Sequence, residues 1–465
     1  MSLAESLPRP EPRPYALAAA LAVGVFLSAW VLLHVGFYTH GQVKDTPVYE
    51  RYGNAIVRGE VPYRDFGVEY PPGALPAFAL PALGHDEDGR LAVYETAFQR
   101  LMVVCGVAAV LLTALALRGL GAGLARTGGA LAFVALAPLA LGSVVLSRFD
   151  LWPAAVTAAA LAALVSGRLR VGHAVLGLAV AIKIYPAVLV PLAVAYAWRR
   201  GGRREAAASA AWLVAAVAAV FVPFLALSPG GVWDSVVRQS TRPLQIESLG
   251  ASLLVTAHHV FGTGATMSSS HGSQNLAGGG ADAIAAVQSA AQLAAIVAVW
   301  IWFARGPGGR EEFVRACAAA LVAFVALGKV LSPQFLIWLV PLVPLVRGRR
   351  GLTATALLGT ALVLTQLWFP FRYWRYALQF DETASWLVLG RDLVLLALLA
   401  VLALPLRRRD SGDGDSHRLA RGRAAARVAL DQRALDPHVP LGGREPDRDA
   451  GAHAADRQLR LHPDH

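Results

Sequence analysis

From Tyr15 to Leu406 the chain is a succession of apolar runs, many of them long enough to cross a bilayer, separated by short connectors that carry arginine. That order restricts the fold more than any motif does. In hydrocarbon every backbone N–H and C=O must be satisfied within the protein, so runs of about 20 apolar residues span as helices. Composition agrees: 56% of the 465 residues are hydrophobic, 16% are charged and the mean hydropathy is +0.50, too apolar for a soluble protein of several domains. The first run, Tyr15 to Phe37, exceeds the core of a signal peptide and reads as the first spanning helix. Cys105 and Cys317 each sit inside an apolar run, where a free thiol behaves as a small hydrophobe, so neither a disulfide framework nor a cysteine metal site is expected.

Further spanning helices are expected over 91–117, 129–146, 151–165, 206–227, 283–303, 352–368 and 386–406. The run 171–198 has arginines at both ends and Pro186 near its middle. As one helix it would be about 42 Å long against about 30 Å of hydrocarbon. Two short helices meeting at KIYP return both arginine clusters to one side. The segment 313–346 repeats the pattern, with GKVLSPQF between its halves, while 73–83 is too short to span and reads as re-entrant.

About 12 crossings result. By the positive-inside rule Arg118 and Arg126, Arg168 and Arg170, Arg199 to Arg204, Arg305 and Arg310, and Arg347 to Arg350 are cytoplasmic, with both termini. The net charge of +11 then reports topology in a multi-pass plasma-membrane protein and not nucleic-acid binding. Trp152, Trp198, Trp302, Trp368 and Trp386 fall near helix ends, where indole prefers the water–lipid boundary. The expected fold is all-α and polytopic, a single membrane-embedded domain over 1–406. The Arg/Asp/Gly/His/Pro-rich tail, 407–465, is expected to be disordered and cytoplasmic.

A polar run, THGQVKDTPVYERYGNAIVRGEVPYRDFGVEYPP, follows the first helix and must face outward. It carries Asp45, Glu50, Glu60, Asp65 and Glu69, and it is rich in Tyr, Pro and Gly where a linker would be Ser/Gly. Its middle has helical spacing. A second outer loop, 228–282, begins with a segment that suits packing on the membrane surface and ends in SSSHGSQNLAGGG, which reads as mobile.

Only three lysines occur among 42 basic residues: Lys44, Lys183 and Lys329. All three fall on the outward side. Lys183 and Lys329 each cap an apolar hairpin with a proline shortly after, a place for a compact ammonium that holds an anion. A lipid phosphate is the natural anion at that depth, and one that carries a sugar leaves with more charge, which cations stabilise in the transition state. Arg148, at the adjacent outward turn, reads either as a third such group or as an ion pair with Asp150. Tyr185 in KIYP, and Ser332 and Gln334 in GKVLSPQF, join the candidate substrate contacts, as does His258 of the second loop.

An acceptor hydroxyl needs a general base, and Asp45, just ahead of the loop helix, is the first choice. Its other readings are a helix cap and a partner for Lys44. Glu69, beside YPP, is second. Arg391 and Asp392 lie inside a helix and should neutralise each other. The chain has no Walker-type phosphate loop, no G-x-G-x-x-G in the right context, no H-E-x-x-H and no G-x-S-x-G, which argues against a nucleotide-driven pump. A transporter or flippase for lipid-linked sugars stays open.

DTPVYERYGNAIVRGEVPYRDF with EYPP, SRFDLWPA, IKIYPAVLVPLA and GKVLSPQFLIWLVPLV together resemble the C-type, polyprenol-phosphate-sugar-dependent glycosyltransferases, specifically family 87, which includes alpha-mannosyltransferases. The resemblance covers about residues 15–406. It implies the C-type glycosyltransferase fold with an extracytoplasmic catalytic loop and a polyprenyl-phosphate sugar donor, commonly mannose. It also implies a lipid or glycan acceptor, inversion at the anomeric carbon, and an outer-loop Asp as base, which falls on Asp45. Many C-type enzymes have paired acids in this loop, whereas here Lys44 and Thr46 flank Asp45. No metal and no other cofactor is expected.

Overall fold

The computed structural model describes residues 12–83 and 91–404. The tail 407–465 therefore lies outside the described residues. Helix α1 (Pro12–Leu32) leads to a polar segment holding α2 (Thr46–Val57), a 3-10 turn at Pro72–Ala74 and α3 (Leu75–Ala82). Then come α4 (Leu91–Gly119), α5 (Leu124–Leu141), the single turn α6 (Val144–Ser147), α7 (Leu151–Val165) and α8 (Leu169–Ile182). A 3-10 turn (Tyr185–Leu189) enters α9 (Val190–Leu227), which breaks at Gly202, where φ is 72°.

The second loop holds α10 (Pro229–Ser240), α11 (Leu249–Phe261) and an antiparallel hairpin of β1 (Thr266–Ser270) and β2 (Ser273–Ala277). The chain continues through α12 (Gly279–Arg305), α13 (Arg310–Ala326), the short α14 (Leu336–Leu339) between two 3-10 turns, α15 (Gly348–Trp368), α16 (Tyr373–Gln379) and α17 (Glu382–Ala403).

Seven stretches among the described residues are long and apolar enough to cross a membrane, one of them the 185–227 stretch divided at Gly202. Length and composition thus mark fewer spans than the expected 12. The helices that make up the difference, such as α7 and α8, are apolar but short. The expected break at KIYP is present: Lys183 is extended (φ −154°, ψ 142°) and separates α8 from the next turn. Likewise 327–335 interrupts the segment after α13.

Three expectations fail. SSSHGSQNLA is the hairpin β1–β2, turned at His271 and Gly272, both of which have positive φ. Two consecutive left-handed residues match the twist of paired strands, and the serines satisfy their backbone in the ladder. The hairpin is a small insertion in a fold that is otherwise helical, as expected. Trp368 is 0% exposed and packs on Phe369, Tyr373 and Tyr376, so it is a core residue and not a boundary indole. The stretch expected as one helix over 129–146 ends at Gly142 (φ 60°), where a Cβ would collide with Gln366. The two thiols, Cys105 and Cys317, are buried and unpaired as expected.

Arginine contacts gather at one end of the bundle. Arg126 pairs with Glu311 and donates to the Leu345 carbonyl, Arg199 donates to the carbonyls of Ala304 and Gly306, and Arg350 donates to that of Leu404. Tyr15 donates to the Ala122 carbonyl at this same end. Asp150 begins α7 and Ser166 caps its other end, beside Gly119, so the turn at Arg148 lies about 22 Å from the arginine end.

Aromatic packing holds the first polar segment onto the bundle. Tyr49 of α2 stacks on Phe78 at 4.7 Å and meets Phe149 edge-on at 5.7 Å, and Tyr70 meets Phe149 at 4.9 Å. Such rings bury large apolar areas at a fixed geometry. Gly73 then lets the YPPG turn touch the end of α8, since a Cβ there would lie 2.7 Å from the Ala181 carbonyl oxygen.

Candidate active site

The turn SRFD carries the centre of the site. Arg148, with extended backbone, and Asp150, at the start of α7, flank Phe149, whose ring is locked in the aromatic cluster, so the two charges are presented on a fixed backbone. Both are buried. Arg148 pairs with Asp45, not with Asp150. Asp150 instead accepts from Lys183 Nζ at 2.6 Å and from the Trp338 indole N–H at 2.6 Å. Of the two readings of Arg148, the pair with Asp150 does not form, because Lys183 occupies Asp150 and the loop helix brings a second carboxylate to the arginine.

Asp45 stands at the start of α2, but its side chain caps nothing. The Tyr49 hydroxyl approaches it at 3.4 Å. Nor does Lys44 pair with it. Lys44 Nζ reaches Glu95 of α4 at 3.0 Å, and the buried Thr46 hydroxyl donates to the other oxygen of Glu95 at 2.7 Å. One carboxylate thereby holds both residues that flank Asp45, which fixes where Asp45 points.

Lys183 sits among rings, 4.6 Å from the Phe149 centroid, 5.0 Å from Trp338, 5.8 Å from Phe335 and 5.9 Å from Tyr70. Their faces favour a cation. Burial pushes its pKa down and Asp150 opposes the shift. Arg148 and Arg242 add like charge close by. Tyr185 is behind this group, stacked on Trp338 at 4.1 Å with its hydroxyl taken by Thr157. It supports the indole that serves Asp150.

The remaining candidates divide. Ser332 accepts from the Gln245 side-chain amide at 2.8 Å. Lys329 is tied by its backbone carbonyl to Gln245 N at 3.0 Å, while its ammonium serves the Ser240 carbonyl at 3.2 Å. It does not contact Asp45, Asp150 or Lys183. Glu69 borders the hairpin turn at Gly272, and its charge reaches Arg242. Gln334 is half-buried in the 3-10 turn Pro333–Phe335. His258 is not brought in: its Nδ1 bonds the Thr263 carbonyl at 2.6 Å at the end of its own helix.

Sequence reasoning passed over Gln245, Glu247, Arg242 and Glu95. The first two sit in LQIES, a buried stretch without regular structure between α10 and α11. Glu247 is 1% exposed, and burial pushes its carboxyl up to about 7 against the pull of Arg391 and Arg148. A run of five residues with one acid has no pattern that announces burial. Arg391 and Asp392 do pair, at 2.8 Å inside α17, and Arg391 also donates to the Glu247 carbonyl.

The profile of glycosyltransferase family 87 matches residues 69–333, more than half of the chain. No curated protein matches it. Among solved structures, the crystal structure of ArnT from Cupriavidus metallidurans bound to undecaprenyl phosphate is similar at 14% identity and a TM-score of 0.43, over 83% of this chain and 76% of that one. On the profile match, the chain, a multi-pass membrane protein, belongs to glycosyltransferase family 87, a family of C-type enzymes.

Proposed function

We propose that this protein moves one sugar, mannose in the first instance, from a polyprenyl phosphate to a lipid or glycan acceptor, with inversion, on the extracytoplasmic side of the plasma membrane. One observation carries the reading: a carboxylate, Asp45, and a buried cation, Arg148, meet beside a second cation, Lys183, at the end of the bundle away from the arginine clusters. Those clusters, with the bundle ends at Tyr15 and Leu404, then mark the cytoplasmic face.

Asp45 takes the proton of the acceptor hydroxyl as its oxygen attacks the anomeric carbon. The bond to phosphate breaks, and polyprenyl phosphate leaves with both electrons. Arg148 and Lys183 hold that phosphate, and stabilise its charge more strongly as the bond breaks. In the structure Arg148 neutralises Asp45. An arriving phosphate draws the guanidinium to itself and frees Asp45 to act as base, which couples donor binding to activation of the acceptor.

Purified protein in detergent, given labelled polyprenyl-phosphate sugars and candidate acceptors, tests this directly. Product and free polyprenyl phosphate are expected, and Asp45→Asn should bind donor yet lose about 100-fold or more of turnover. Full activity in that variant removes Asp45 from the reaction. A transporter, lacking two compartments in detergent, would yield no product.

A further inference from the structure

LQIES, residues 244–248, is buried throughout and held on all sides. Leu276 N donates to the Leu244 carbonyl, Gln245 N to that of Lys329, and Ile246 N to that of Gln274, at 2.9, 3.0 and 3.1 Å. The Tyr376 hydroxyl and the Arg391 guanidinium donate to the carbonyls of Ile246 and Glu247, each at 2.7 Å. Four elements, β2, the Lys329 turn, α16 and α17, thus spend five hydrogen bonds on a segment that forms neither helix nor strand of its own. Such a clamp makes sense if the side chains it presents must not move.

Those side chains are Gln245, 3% exposed, and Glu247, 1% exposed. The Gln245 amide nitrogen is forked between Glu247 Oε2 at 2.6 Å and Ser332 Oγ at 2.8 Å. Above pH 7, where Glu247 is ionised, its carboxylate can only accept from that amide, so the amide oxygen faces away from both partners. The result is two buried acceptors, Gln245 Oε1 and Glu247 Oε1, with no donor; Asp150 Oδ2 is a third. All are closed to water, and each missing donor costs about 1–3 kcal/mol.

We propose that Gln245 and Glu247 are the subsite that reads the hydroxyls of the transferred sugar. The assignment rests on the glycosyltransferase reading above. A phosphate offers only acceptors, so it suits Arg148 and Arg242, whose Nε atoms also lack partners, and it does nothing for these oxygens. A polyprenyl chain offers nothing to either. Of the parts of such a donor only the sugar supplies hydroxyl donors, and Ser332, which the Gln245 amide holds, opens the turn that carries Phe335, one of the rings around Lys183.

The test is a binding series on the full-length protein in detergent with polyprenyl phosphate, polyprenyl-phosphate mannose and monodeoxy forms of the latter. Wild type is expected to bind the mannosylated lipid about 10-fold more tightly than the bare lipid, and to discriminate at least one deoxy form by about 10- to 100-fold. Gln245→Ala and Glu247→Gln should lose that discrimination to within about threefold while binding bare polyprenyl phosphate as wild type does, which also reports that they fold. Ser332→Ala, which only unseats the amide, should lose part of it. Variants that discriminate as wild type does, or a wild type that binds all sugar forms alike, overturn the subsite. Because the readout is binding, an active Asp45→Asn sinks the catalytic reading alone, and undiminished discrimination in Gln245→Ala and Glu247→Gln sinks this one alone.

Discussion

Arg148 is paired with Asp45 across more than a hundred residues of chain, while Asp150, two residues away, is given to Lys183. The two ion pairs run side by side through Phe149, and they set what each charge can do before substrate arrives. With 9% of the Arg148 side chain and 30% of Asp45 exposed, the first pair is only half closed. Arg148→Met should therefore cost about 2–3 kcal/mol, less than the roughly 3–5 kcal/mol for a fully buried pair. Thermal unfolding in detergent measures it. Arg148→Lys should recover most of the stability and little of the donor affinity, because an ammonium cannot grip phosphate in a planar fork.

Glu95 touches no substrate in this scheme, yet it holds Lys44 and Thr46 on either side of Asp45. Removing it with Glu95→Ala should lower kcat about 10-fold with the donor KM within about twofold, since a base displaced by a fraction of an ångström still leaves the phosphate site intact. Glu95→Gln keeps an acceptor for Thr46 and should fall between. An unchanged kcat in Glu95→Ala would show that the aromatic packing of α2 alone fixes Asp45.

Two of the three lysines part company. Lys183→Met should weaken donor binding by about 10- to 100-fold, because it strips the cation that Asp150 and four rings hold in place. Lys329→Met should weaken it by less than about threefold, its ammonium being spent on the Ser240 carbonyl. Equal losses in a binding titration would put Lys329 back at the phosphate.

For Glu247 the sign of the pH effect follows from its raised folded-state value, about 7 against an ordinary 4.5. Below pH 4.5 the carboxyl is neutral folded or unfolded. Between 4.5 and 7 the unfolded chain releases the proton and the folded chain keeps it, so stability falls as pH rises and the loss is complete above 7. It amounts to about 3 kcal/mol. Glu247→Gln should melt higher than wild type at pH 8 and no higher at pH 4.5; parallel melting curves across that range would contradict the burial argument.

Helix positions were readable because bilayer crossing imposes a length and an apolar composition on consecutive residues. α7 at Leu151–Val165 and α4 from Leu91 match the expected limits to within about two residues. The break at KIYP was readable too, since arginines at both ends and Pro186 leave one continuous helix nowhere to go. Burial of LQIES and pairing of SSSHGSQNLA were not. Their hydrogen bonds run to Lys329, Tyr376 and Arg391, and no local periodicity encodes a partner that distant.

The sequence by itself determined that this chain crosses a membrane many times, that its charged first loop and lysine-bearing hairpins share a side, and that Asp45 and Lys183 are candidates for one site. Each follows from composition and spacing, which act locally. Which acid meets which cation was decided only by the tertiary structure: Asp45 with Arg148, Asp150 with Lys183, Glu95 with Lys44. Charges choose partners by distance and burial, and both are set by how the helices pack.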